Sequence, residues 1–153
     1  RKKDYQKCLY YIDKALNIDS ENVLYWKRYA TICKKLNLFE EAEHGYRRTL
    51  ELGNIDIDTW IERTDLLIHI GEFNSAIKNL NQATEHYNNH PEIEYRLAGL
   101  YFHLNEQSKG RFHLNNALRV DSEYIIIIEE LFPVVYENQM VKQLILNHQN
   151  PSL

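Results

Sequence analysis

Small side chains return every 34 residues along this chain. Cys8, Ala42, Ala76 and Gly110 form one series, Ala15, Thr49, Ala83 and Ala117 a second, and Ala30, Thr64 and Ala98 a third. Large residues keep the same interval: Trp26 with Trp60, then Tyr5, Phe39 and Phe73, then Ile12, Tyr46, Leu80 and Leu114. A period of this length marks one supersecondary unit used repeatedly, so the architecture must be a stack of such units.

Within each period the apolar spacing is helical. Trp26, Tyr29, Ala30 and Cys33 fall at i, i+3, i+4 and i+7, and Trp60, Thr64 and Leu67 follow with Arg63 as the misfit. Ala42, Tyr46, Thr49 and Leu50 make a second stripe, repeated by Ala76, Leu80, Ala83 and Thr84. Each period therefore reads as two helices, the first about 14 residues long. Between them lie Asn37, Gly71 and Asn105, residues that tolerate the left-handed conformation ending a helix, with Lys3 at the same register. Asn22 and Asp56 stand at N-cap positions, and Pro91 takes a first helical position after His90. Where two such helices cross, Ala, Gly, Thr or Cys permits the closest approach of the axes, and a large side chain of the neighbour fills the adjoining space.

Composition supports an all-helical reading. The 153 residues include only 5 Gly and 3 Pro, too few for the turns of a many-stranded sandwich or barrel. With 44% hydrophobic and 26% charged residues the chain can build a core, and its net charge of −4 argues against a nucleic-acid binder. The longest aliphatic run, Ile125 to Ile128, is stopped by Glu129 and Glu130, far short of the ~20 apolar residues of a membrane helix. The chain opens Arg-Lys-Lys-Asp without Met, so it is expected to be a fragment of a longer repeat protein. Cys8 and Cys33 match no zinc or CxxC spacing and read as small residues packed between helices; a disulfide is the alternative in an oxidising compartment.

These residues resemble the tetratricopeptide repeat (TPR) family, whose 34-residue units are helical hairpins. Residues 23–56 match its pattern with Trp26, Ala30, Asn37, Phe39, Ala42, Tyr46 and Thr49; residues 57–90 match with Trp60, Thr64, Gly71, Phe73, Ala76, Leu80 and Ala83. Residues 91–124 match more loosely with Leu97, Ala98, Tyr101, Asn105, Gly110, Leu114 and Ala117. The resemblance implies one domain, a right-handed α-solenoid of stacked antiparallel helix pairs: a half repeat at 1–22, three full repeats, and C-terminal capping helices at 125–153. Glu94 and Gln107 replace family aromatics, so the third full unit is expected to pack less tightly. Ser20, Asn54, Asn88 and Ser122 stand where the family closes with Pro, leaving those boundaries to polar capping. Pro133 should end a helix, and Asn138 should cap a last one through Met140, Val141, Leu144 and Ile145. Ile125 to Ile128, with Leu131 and Phe132, should close the third full unit, or mark an interaction patch where exposed.

What the resemblance implies for function is a non-enzymatic scaffold, with the first helix of each repeat lining a concave groove for a protein or peptide partner. By family register the groove residues are Lys27, Arg28, Thr31, Lys34 and Lys35; then Asp58, Ile61, Glu62, Asp65, Ile68 and His69; then Glu92, Tyr95, Arg96, Phe102 and His103. Arg28, Tyr95, Arg96 and Phe102 are the expected anchors, since aromatic and Arg side chains dominate interface energetics. The clamp with which chaperone-binding members hold a C-terminal carboxylate needs Asn, Asn and Lys where this chain has Thr31, Glu62 and Glu92. Two acidic groups would repel the carboxylate.

No motif of nucleophilic, metal-dependent or nucleotide chemistry occurs, and no cofactor is expected. His69 and His103 hold equivalent places in adjacent units, with Glu137 one period on, but no third ligand is fixed by spacing; His86 and His90 lie at a helix end. The other readings are a structural solenoid segment that self-associates weakly through its exposed repeat ends, and an RNA reader of the pentatricopeptide type. The second fits less well, because that family repeats every 35 residues and is basic. A cytoplasmic location is favoured, although the sequence names no compartment and no membrane association is expected.

Overall fold

The computed structural model describes residues 1–151, and among them there is no strand. The helices run α1 (Lys2–Ile18), α2 (Val23–Lys35), α3 (Phe39–Glu51), α4 (Ile57–His69), α5 (Phe73–Ala83), α6 (Pro91–His103), α7 (Gln107–Val120), a 3-10 turn (Ser122–Ile125), α8 (Ile126–Leu131), α9 (Pro133–Tyr136) and α10 (Gln139–Gln149). The packing falls into two compact units, Arg1–Asn79 and Leu80–Leu153.

The turn residues behave as their chemistry dictates. Asn37, Gly71 and Asn105 adopt φ of 59°, 82° and 62°, each at the end of a helix where an L side chain is normally excluded. Asn22 caps α2, its side chain accepting from the Tyr25 backbone N–H at 3.1 Å. Asn138 caps α10 the same way through Met140, at 2.9 Å. Pro91 opens α6, with the His90 ring accepting from the Glu92 N–H. Asp56 stands at the N-cap of α4 but makes no capping bond; its carboxylate accepts from the Asn54 amide instead, at 3.1 Å. Lys3 falls inside α1 and makes no turn.

In the first unit, α2 packs against α3 around Ala30, Cys33, Ala42, Tyr46 and Leu66, with Leu9, Tyr29, Leu38 and Phe39 at the edge. Arg63 is no misfit. Its guanidinium donates to Glu43 at 2.9 Å and to the Asn79 side-chain oxygen at 2.9 Å. The Asn79 amide in turn donates to the Trp60 carbonyl at 3.0 Å and to Thr64 Oγ1 at 2.8 Å. Each member of this buried network therefore has a partner, which low polarity makes obligatory. Cys8 corrects the sequence reading: it is exposed on α1 rather than packed between helices, and both cysteines are free thiols.

In the second unit, α6 is buried along ten consecutive residues, Ile93 to Phe102. This overturns the expectation of looser packing there. Glu94 replaces the family aromatic without leaving a hole: its carboxylate meets His113 Nδ1 at 2.7 Å, and the imidazole stacks on Tyr101. The segment from the 3-10 turn through α9 adds cover to α6. Ile127, Ile128 and Phe132 are buried while Ile126 is half exposed, so the aliphatic run closes this unit as one of its two expected roles requires. Pro133 ends α8 and starts α9.

Candidate peptide-binding groove

The first unit contains a concave depression of about 630 Å³ lined by Lys27, Thr31, Lys34, Lys35, Asn37, Phe39, Tyr46, Asp58, Ile61 and Glu62. Three turns of α2 supply one wall, because Lys27, Thr31 and Lys34 recur on one helical face. Asp58, Ile61 and Glu62, likewise one turn apart, supply the wall on α4. Tyr46 reaches in from α3, its hydroxyl 3.5 Å from Thr31 Oγ1, and Thr31 donates back to the Lys27 carbonyl at 3.0 Å.

Two ion pairs tie the walls together. Lys34 bonds Glu62, and Lys27 lies 3.6 Å from Asp56. Burial works against the Lys34 ammonium, but the hydrogen bond and charge of Glu62 outweigh it, and the pKa of Lys34 is raised. Burial raises that of Tyr46, so both groups keep their protons at neutral pH. Lys35 and Asp58 are exposed and carry no ion pair among the described residues. The depression presents cations from α2, carboxylates from α4, and apolar surface from Phe39, Tyr46 and Ile61.

Seven of the residues expected in a groove thus meet in one: Lys27, Thr31, Lys34, Lys35, Asp58, Ile61 and Glu62. The others do not join them. Arg28 is exposed on α2 and lines an adjoining depression against α1, which shares Lys27 and Thr31 with the groove. Asp65 is half-buried, and His69 is exposed with its ring centroid 4.5 Å from that of Phe39. In the second unit Tyr95 and Phe102, read from the sequence as anchors, are withdrawn from solvent. Tyr95 is fully buried and donates to the Asp121 carbonyl at 2.6 Å. Phe102 packs its ring on Gly110. Arg96 is buried and donates to the Glu92 carbonyl and carboxylate, while His103 is exposed near Phe132. Tyr95, Arg96 and Phe102 build the unit's interior. Register alone missed Phe39, Asn37 and Tyr46 as groove lining, since all three belong to the turn or second helix; their 34-residue recurrence reads Phe39 and Tyr46 as core and Asn37 as the turn.

No family model matches the sequence, and no curated protein matches it. Solved structures do. MamA superposes with a TM-score of 0.75 at 16% identity, over 96% of this chain and 85% of that one. The fold is that of the tetratricopeptide repeat. YrrB, described as a TPR protein with an unusual peptide-binding site, gives a TM-score of 0.72 at 16% identity, over 95% of this chain and 75% of its own. TTC0263, a thermophilic TPR protein of Thermus thermophilus, gives 0.60 at 17% identity, over 97% and 81%. The TPR fold accounts for the 34-residue beat and for the φ > 0 residue between paired helices. No helix among the described residues is long and apolar enough to cross a membrane.

Proposed function

We propose that this chain is a non-enzymatic interaction scaffold that holds an extended segment of a partner protein in the α2–α4 groove of its first unit. The observation that carries the reading is the convergence of seven first-helix side chains, Ile61 among them, on one open depression beside the apolar surface of Phe39 and Tyr46. Fixed helices hold these groups in place before binding, so little ordering cost falls on the scaffold. A peptide-binding site is attributed to YrrB, which shares the fold, and this supports the reading in kind. The opposed charges of Lys35 and Asp58 favour a segment carrying both signs and fix its direction along the groove.

Selection from a random peptide library on the intact chain tests this. Selected peptides should lose at least tenfold in affinity to Ile61→Arg, which fills the groove, and to Lys35→Glu, which inverts a wall charge. Binding indifferent to both variants would place the site elsewhere.

A further inference from the structure

Lys27, Thr31 and Lys35 form a row along α2 that lines the first unit's open depression. Two 34-residue periods further on, the same row of α6 is Tyr95, Gly99 and His103, again on one helical face at i, i+4 and i+8. In the second unit the chain itself covers that row. The Tyr95 hydroxyl donates to the Asp121 carbonyl at 2.6 Å. A Cβ on Gly99 would stand 2.2 Å from Cδ2 of Phe132, so this ring fills the space where a side chain would lie. The His103 ring lies 6.1 Å from that of Phe132, centroid to centroid.

The covering segment takes an unusual place for a repeat. In the first unit the helix after the α2–α3 hairpin, α4, packs on α3, and the α2 row stays open. In the second unit the helix after the hairpin, α8, packs on α6, with Ile127 and Ile128 buried. Glycine at position 99 permits this approach. The two preceding repeats carry Thr31 and Asp65 at the same register, and either side chain would exclude the Phe132 ring.

The cover is made of short pieces. Residues 122–136 comprise a 3-10 turn of four residues and helices of six and four, interrupted at Pro133. Helices of this length do not persist without a surface to pack on, and such segments open at lower cost than the long helices of a core. The cover also displays the chemistry that fits the row. Ile128 and Phe132, one helical turn apart, are both buried, and the Phe132 ring is the group seated on Gly99.

We propose that the Tyr95–Gly99–His103 row of α6 is a second partner-binding surface, closed in the free chain by residues 121–136 and opened when a partner segment of the same apolar pattern takes their place. That segment carries an aliphatic side chain and, four residues later, an aromatic ring that seats on Gly99. The proposal rests on the shape of the first unit's depression and not on a partner binding there.

Native-state hydrogen exchange on the intact chain reads the opening. Amides of residues 126–136 should exchange at least tenfold faster than the slowest amides of α6 and α7. A labelled peptide of residues 121–136 then stands in for the partner, with binding read by fluorescence anisotropy. The chain's own segment competes with it, so Phe132→Ala in the chain should tighten binding at least tenfold. Gly99→Leu added to that variant should abolish the gain, as should Phe132→Ala in the peptide. Ile61→Arg, in the other groove, should leave binding unchanged, so failure here and failure of the α2–α4 reading are told apart. Exchange at 126–136 as slow as the slowest amides of α6 overturns the proposal, and this result needs no variant to fold. Equal binding by the chain and a Phe132→Ala variant that keeps its helical circular dichroism also overturns it, as does a gain that survives Gly99→Leu. A concentration-dependent dimer in sedimentation that Phe132→Ala abolishes would make a second copy's segment the occupant, and would overturn it too.

Discussion

Gly45 of α3 lies so close to Ala30 of α2 that a Cβ added to it would stand 2.8 Å from the Ala30 Cβ and 3.0 Å from its Cα. Both residues are buried where α2 and α3 cross. One of the atoms in the way is backbone, so the contact can relax only by moving a helix. Gly45→Ala should therefore destabilise the chain by about 1–3 kcal/mol from overpacking, even though Ala gains up to about 1 kcal/mol in helix propensity. Urea unfolding followed by circular dichroism checks this. A stabilised variant would show that the two helices are not held at this distance.

The buried amide of Asn79 joins Arg63, Thr64 and the Trp60 carbonyl. Asn79→Ala should cost about 1–3 kcal/mol, because it leaves buried polar partners without their bonds. Asn79→Asp should cost at least as much, since a carboxylate oxygen would face the Trp60 carbonyl where an N–H now points. Equilibrium unfolding of both variants measures the pair.

Glu94 and His113 form the corresponding pair in the second unit, 2.7 Å apart with both side chains mostly covered. Glu94→Ala should destabilise by about 1–3 kcal/mol, as should His113→Ala, and the double variant should cost less than the sum. Additive losses in a double-mutant cycle would mean the two groups do not interact.

The buried Cys33 thiol is pushed up to about 11 from an ordinary value of 9.0, first by burial, while Cys8 is exposed. Cys8 should react with iodoacetamide at neutral pH and Cys33 should not until the chain unfolds. The folded state holds the Cys33 proton more tightly than the unfolded state. That contribution to stability is full below about pH 9 and is lost as pH rises towards 11. The denaturant midpoint should fall across that window, and Cys33→Ala should flatten the fall.

Much of the fold is legible in the sequence, and the reason is mechanical. Each small residue of the 34-residue series marks a helix crossing, and each Asn or Gly at the turn marks a backbone angle that few other residues adopt. Ala30, Ala42, Ala98 and Ala117 are buried, and Asn37, Gly71 and Asn105 all have φ > 0. Close contacts outside the series leave no such trace. Gly45 and Gly99 lie off the beat, yet a Cβ on Gly99 would strike the Phe132 ring.

In the first unit the groove residues named from the sequence share one depression; in the second they do not. Lys27, Thr31, Lys34 and Lys35 keep the family register and face an open depression. Tyr95 and Phe102 keep the same register but are buried. The irregular segment after α7 adds contacts to α6, and its short pieces, broken by Pro133, carry no repeat pattern that would announce them. Arg63 looks out of place in the sequence for a related reason. Its partners Glu43 and Asn79 lie 20 and 16 residues away, and helical periodicity has no means of pairing residues across such distances.

The central claim is that the α2–α4 groove of the first unit is where a partner segment binds. Titrating a library-selected peptide into the isotopically labelled chain and following backbone amide shifts by NMR tests it most directly. The largest shifts should fall at Thr31, Lys34, Lys35, Asp58 and Glu62, with Tyr95 and Phe102 unmoved. Largest shifts along α6 and α7, with the α2–α4 residues silent, would contradict it.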